Sequence, residues 1–182
     1  MLFISCSESS EEKTLGQIET QETTSRYGKT LKPLPNISEV ARKELVSWSV
    51  FEDYETNVNK LKNKTVAALL VTSKELERQT DSLLQTIPEV LDTRPIYARL
   101  LLSNTRTKLL LQQLRYDAID SLGLETSLQE MNIATESFFI EINRTFKKNK
   151  IDEELKETEK KELEKQKRFL DSVYQSEIKD NG

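Results

Sequence analysis

The sequence predicts an all-α protein: an antiparallel helical bundle, or a long kinked helical hairpin, with an extra C-terminal helix. Three observations predict it. Four glycines and four prolines in 182 residues are too few for the frequent turns of a β-sandwich. Apolar side chains recur every three or four positions from Ile37 to Phe146, the period of one helix face. Charged residues make up 32% against 36% hydrophobic, which suits helices with one apolar and one solvated face.

Helix signals begin at Asn36, a capping residue type, with Glu39 three positions on as in a capping box. One apolar face then runs Ile37, Ala41, Leu45, Trp48, Phe51, Tyr54, Val58, Leu61, and a second runs Val66, Leu69, Ser73, Leu76, Thr80, Leu83, Ile87. The step from Leu61 to Val66 is five residues, across Lys62-Asn63-Lys64, so the chain kinks there, breaks into two helices, or continues with a stripe shifted through Thr65. Pro88 and Pro95 bracket a turn in which Asp92 or Thr93 caps the next helix. That helix is read through Tyr97, Leu100, Asn104, Thr107, Leu111, Leu114 and Ala118 to Leu122, stopped by Gly123-Leu124 as a Schellman motif. Thr126 and Gln129 then read as a capping box for a helix carrying Leu128, Met131, Phe138, Ile142 and Phe146. Runs such as Leu100-Leu101-Leu102 and Leu109-Leu110-Leu111 fan too widely for a two-stranded seam. They call for four helices, or two hairpins paired as a dimer.

The segment 149–182 differs. From Lys156 to Glu162 every residue but Thr158 is charged, with mixed signs. It reads as a solvated helix steadied by acid–base pairs three and four apart. Its candidate interaction face is Phe169, Leu170, Val173 and Ile178. Ahead of the bundle (37–148), residues 7–36 are rich in Ser, Thr, Glu and Gln and read as a disordered tether closed by Pro33 and Pro35.

Composition narrows the chemistry. The chain has no histidine and a single cysteine, which removes the commonest general base, the usual zinc donor sets and any internal disulfide. Its glycines are isolated, so there is no phosphate loop. Net charge is −4, and five acids against one base within 7–25 account for all of it. The balanced remainder gives no footprint for nucleic acid. Asp117 and Asp120 stand one helical turn apart and read as solvent-facing, since acids are mostly exposed. Arg99 and Arg106 share a face and read as a solvated flank. Trp48, Phe51 and Tyr54 read as core rather than as a binding platform. Asn104 and Thr107 fall in core register, where a buried asparagine fixes helix pairing at some cost in stability, so Asn104→Leu is expected to stabilise the fold. No enzyme activity, cofactor or metal is expected.

The lone cysteine carries the main functional expectation. Met1-Leu2 leads into Phe3-Ile4-Ser5-Cys6, followed at once by the polar, acidic Ser7-Glu8-Ser9-Ser10-Glu11-Glu12. An apolar approach, a small residue, a cysteine and an abrupt polar exit resemble the processing site of a bacterial lipoprotein. The resemblance covers only residues 1–6, as the end of a truncated signal peptide, and the body belongs to no family legible in the sequence. It implies lipid (palmitate among the acyl chains) on Cys6, a signal peptide starting upstream of Met1, and a place in the bacterial cell envelope, at the outer membrane, facing the periplasm or the surface. The expected partners are the membrane, through that lipid, and a protein or a second copy of the chain. The expected function is a non-catalytic helical binding, scaffolding or assembly subunit. The alternative is a cytosolic helical adaptor or chaperone-like protein with no anchor.

Overall fold

The computed structural model describes residues 25–116 and 118–180, with side chains as far as 172. Among them five α-helices are joined by loops and one 3-10 turn: α1 Glu39–Leu45, α2 Ser49–Asn59, α3 Val66–Gln85, α4 Arg94–Gln113 and α5 Ser121–Asp180. The described residues divide into two compact units between Ile142 and Asn143, inside α5. This division falls ahead of the 148/149 boundary read from the sequence, and α5 passes through both positions without a break.

The first unit is an up-and-down bundle of α2, α3, α4 and the first part of α5, with α1 as a short lead-in. Side-chain pairs fix the directions. Trp48, at the start of α2, donates from Nε1 to Thr86 Oγ1 at the end of α3 (3.0 Å). Lys108 of α4 meets Asp81 of α3, while Arg115, just past the end of α4, meets Glu77, one turn earlier on α3. Arg106 of α4 meets Glu130 of α5 at 2.7 Å, while Gln113 meets Ser127. Each neighbouring pair is therefore antiparallel, and the four-helix arrangement replaces the kinked hairpin.

The apolar stripes predicted from spacing are the core. Leu69, Leu76 and Leu83 of α3, Leu100, Leu110 and Leu111 of α4, and Leu124, Leu128, Met131, Phe138 and Ile142 of α5 are buried. Phe51 and Tyr54 of α2 meet Phe138 and Phe139 in tilted and edge-on ring contacts 5.5–6.4 Å between centroids. Such aromatic pairs add to plain area burial because the ring edge is positive and the face negative.

Helix ends depart from the sequence reading in three places. Asn36 is not the first cap: Ser38 Oγ accepts from Ala41 N, and α1 starts at Glu39. The continuous face from Ile37 to Leu61 is split, because Val46-Ser47-Trp48 leaves the helix and α2 restarts at Ser49. Ala41, Leu45, Trp48 and Phe51 stay buried across the split, so the period conceals it. Between α2 and α3 the five-residue step is a true break, where Asn63 takes the left-handed conformation (φ 57°) that asparagine tolerates. Thr65 then caps α3, and of the two candidates Asp92 and Thr93 it is Thr93 that caps α4.

The third departure is the Schellman stop at Gly123. α4 ends at Gln113, and Gly123 lies in the first turn of α5 without a positive φ. Asp120, not Thr126, opens α5: its Oδ1 accepts from Leu122 N at 3.1 Å. Gly123 sits beneath the ends of two polar side chains. A Cβ there would stand 2.4 Å from Gln113 Nε2 and 2.7 Å from Asp120 Oδ2, the two side chains that close the α4–α5 corner.

Candidate interaction surfaces

Residues 25–36, assigned to the tether by composition, are folded onto the bundle. Tyr27 and Leu31 are buried. Tyr27 exchanges two backbone hydrogen bonds with Lys64 (2.8 and 3.1 Å), an isolated antiparallel bridge. Its hydroxyl lies 3.0 Å from Ser121 Oγ. Gly28 N donates to Glu125 Oε1 (2.9 Å), Gln129 Nε2 to Thr30 Oγ1 (3.3 Å) and Asn132 Nδ2 to the Lys32 carbonyl (3.2 Å). Successive strap residues thus bond Ser121, Glu125, Gln129 and Asn132, each about one helical turn further along α5. Gly28 is required at its place: φ is +73°, and a Cβ would stand 3.0 Å from the Leu61 carbonyl oxygen. Few apolar residues in a polar stretch hid this strap, and only Tyr27, Leu31 and an isolated glycine signalled it.

The strap's neighbourhood is polar. Glu125 Oε2 is buried and has no hydrogen-bond partner among the described residues. A groove of about 300 Å³ lies between Leu31-Lys32 and Gln129, Ile133 and Glu136.

Inside the bundle, polar groups form two closed networks. Tyr54 Oη lies 2.6 Å from Ser103 Oγ and 3.0 Å from Thr135 Oγ1, and those two lie 3.3 Å apart. This hydroxyl triangle ties α2, α4 and α5 at the centre of the core, and burial raises the Tyr54 pKa above its ordinary value. In the second network Asn104 Nδ2 donates to Thr80 Oγ1 (2.9 Å) and to Asp81 Oδ1 (2.7 Å), which also receives Lys108 Nζ (2.8 Å). The Lys108 hydrogen bond, helped by the Asn104 amide, holds the Asp81 carboxyl below its usual range. Asn104 and Thr107 are buried as their register predicted. Both networks are internally satisfied, so they fix which helices pair and leave no polar atom aimed at a ligand.

The remaining sequence candidates scatter. Cys6 and Asp117 lie outside the described residues. Asp120 caps α5, Arg106 pairs with Glu130, and Arg99 is exposed. Trp48, Phe51 and Tyr54 are core. On the C-terminal helix Phe169 and Leu170 are 68% and 65% exposed, while the side chains of Val173 and Ile178 lie outside the described ones. Every residue from Lys150 to Ser172 is exposed. Among the described residues no group of three metal-ligating side chains converges, and no helix is long and apolar enough to cross a membrane.

Comparison with known proteins adds no relative: no family model, no curated protein and no solved structure matches the chain.

Proposed function

We propose that the chain is a cell-envelope lipoprotein, acylated at Cys6, whose helical body serves as a non-catalytic binding, scaffolding or assembly subunit. The observation that carries this reading is the N-terminal pattern Phe3-Ile4-Ser5-Cys6 with its abrupt polar, acidic exit. Two or three acyl chains, at about 0.8 kcal/mol per buried methylene, hold a protein on a bilayer where one does not.

The strap sets where such an anchor would pull on the bundle. A chain anchored ahead of Ser25 would load the bundle at Tyr27, where two backbone hydrogen bonds to Lys64 and the hydroxyl contact to Ser121 share the pull. The bundle end formed by the α2–α3 loop and the start of α5 would then face the membrane. The turn at Pro88–Thr93 would point away from it.

The test is metabolic labelling with palmitate of the protein expressed from its native locus, beside Cys6→Ala, together with detergent-phase partitioning. Label and detergent-phase recovery lost in Cys6→Ala support the proposal. An unlabelled product found wholly in the aqueous phase overturns it and leaves the unanchored adaptor.

A further inference from the structure

The C-terminal unit carries its charge in blocks. Residues 143–150 hold four bases (Arg144, Lys147, Lys148, Lys150) and no acid. Residues 151–159 hold five acids and one base. Residues 160–168 hold five bases and two acids, and 169–182 hold three acids and one base. The net charges are therefore +4, −4, +3 and −2 along one helix. Helix stability alone does not ask for this order. Acid–base pairs within the helix need only opposite signs three or four apart, as in Lys161–Glu157 (2.9 Å) and Lys165–Glu162 (3.8 Å).

The order has a consequence for pairing. Laid parallel and in register, two copies set every block against its like. Laid antiparallel about the midpoint between Glu159 and Lys160, they set −4 against +3, and the +4 block against residues 169–176, which carry −1. The apolar residues fit the same axis. Ile151, Leu155, Leu163, Phe169 and Leu170 are exposed and fall within an arc of about 120° on the helix. The antiparallel axis brings Leu155 of one copy to within about one residue of Leu163 of the other, and Ile151 to within about one residue of Phe169.

We propose that residues 143–180 are a self-association surface, on which the helix of a second copy of this chain docks antiparallel. Charge order sets direction and register, and the five apolar side chains supply the contact. Glu159, Glu162 and Gln166 interrupt the apolar arc, so the dimer is a reversible, concentration-dependent one. The proposal does not depend on lipid at Cys6.

The test uses the full chain in sedimentation equilibrium. The wild type should dimerise, and more weakly as salt is raised, because exposed charges are screened. Two triple variants reverse facing blocks: Lys160→Glu with Lys161→Glu and Lys165→Glu, and Glu153→Lys with Glu154→Lys and Glu157→Lys. Glutamate and lysine have nearly equal helix propensity, but the reversals remove pairs such as Lys161–Glu157 and Lys165–Glu162, so far-UV circular dichroism of each variant checks first that the helix is retained. Each variant alone should dimerise at least about tenfold more weakly. An equimolar mixture should recover the wild-type dimer, since −4 again faces +3 and the reversed blocks face each other with opposite sign. In a Cys6→Ser background, Ile151→Cys mixed with Phe169→Cys should cross-link, while Ile151→Cys alone should not. A wild type that stays monomeric at every concentration overturns the proposal. So do variants that dimerise like the wild type, a mixture that does not recover, and self-cross-linking of Ile151→Cys, which signals the parallel pair.

Discussion

Helix α5 is held in two different ways along its length. Up to Ile142 it presents Leu124, Leu128, Met131, Phe138 and Phe139 to the bundle, all buried. Phe146 is the last buried side chain among the described ones, and from Lys150 to Ser172 everything is exposed. The first stretch is a helix because burial rewards its apolar face. The second is a helix because its residues are good helix formers linked by close acid–base pairs, each worth only a few tenths of a kcal/mol. The stretch that gives up burial keeps its leucines and its charge order free for another surface. The stretch that uses burial closes Thr135 into the core triangle with Tyr54 and Ser103.

The sharpest way to break this contrast is at Phe138, whose ring meets Phe51, Tyr54 and Phe139. Phe138→Ala is expected to cost about 3–5 kcal/mol in urea unfolding, from lost transfer energy and the cavity left behind. The matching Phe169→Ala on the exposed stretch should change the same measurement by under about 0.5 kcal/mol. Equal effects would abolish the distinction. Next in size is Asn104→Leu. Its network reverses the stabilisation expected from register alone: the amide donates to both Thr80 and Asp81, and leucine removes both bonds while crowding a carboxylate. The expected loss is about 1–3 kcal/mol by the same measurement, since a buried acceptor loses its donor.

Asn104 shows what a sequence can and cannot carry. Its burial was legible because it interrupts a leucine stripe at helical spacing. Its partners were not, because Thr80 and Asp81 reach it only once α3 and α4 are paired. The same holds for Ser103 and Thr135: each lies among apolar neighbours in the stripe, yet only the packed bundle brings them to Tyr54. The all-α class, the core leucines and a cap at Asp92 or Thr93 followed from spacing and local chemistry. The break at Val46–Trp48 did not, since two helices in series can keep one stripe in phase. Nor did the early end of α4, because Leu114 and Ala118 continue its period after the helix has stopped at Gln113. Gly123 misled for a related reason, since a glycine inside a helix's first turn reads like a glycine needed for a left-handed turn. Of the candidate interaction face, Phe169 and Leu170 were legible as unpartnered, because no further apolar periodicity faces them.

A smaller effect isolates the polar centre of the bundle. Tyr54→Phe removes one hydroxyl but leaves Ser103 and Thr135 within reach of each other, so the cost should be about 1 kcal/mol near neutral pH. The alkaline limb is more telling. Burial raises the folded-state pKa of Tyr54 above its ordinary value of 10.0. The unfolded chain therefore releases this proton first, and stability falls as pH rises from about 10 towards the folded pKa. Unfolding free energies followed between about pH 8 and pH 11 should fall less steeply in Tyr54→Phe than in the wild type. Identical slopes would mean that the hydroxyl is not sealed in the core.

The smallest effect on stability is expected from the largest change in sequence. Deleting residues 163–182 removes most of a basic block, the whole of the last acidic one, and Leu163, Phe169 and Leu170 from the apolar arc. None of the described residues in that stretch is buried, so the bundle loses no core contact. The thermal midpoint should move by no more than about 1–2 °C, while far-UV ellipticity falls by the helical signal of the deleted turns. Association with a second copy should vanish in the same sample. A drop of several degrees would mean that the exposed helix stabilises the bundle and that burial and charge are not divided along α5. An unchanged dimer would move the self-association surface to the bundle, where Tyr97, Leu101, Leu102 and Leu109 of α4 are among the apolar side chains left partly in water.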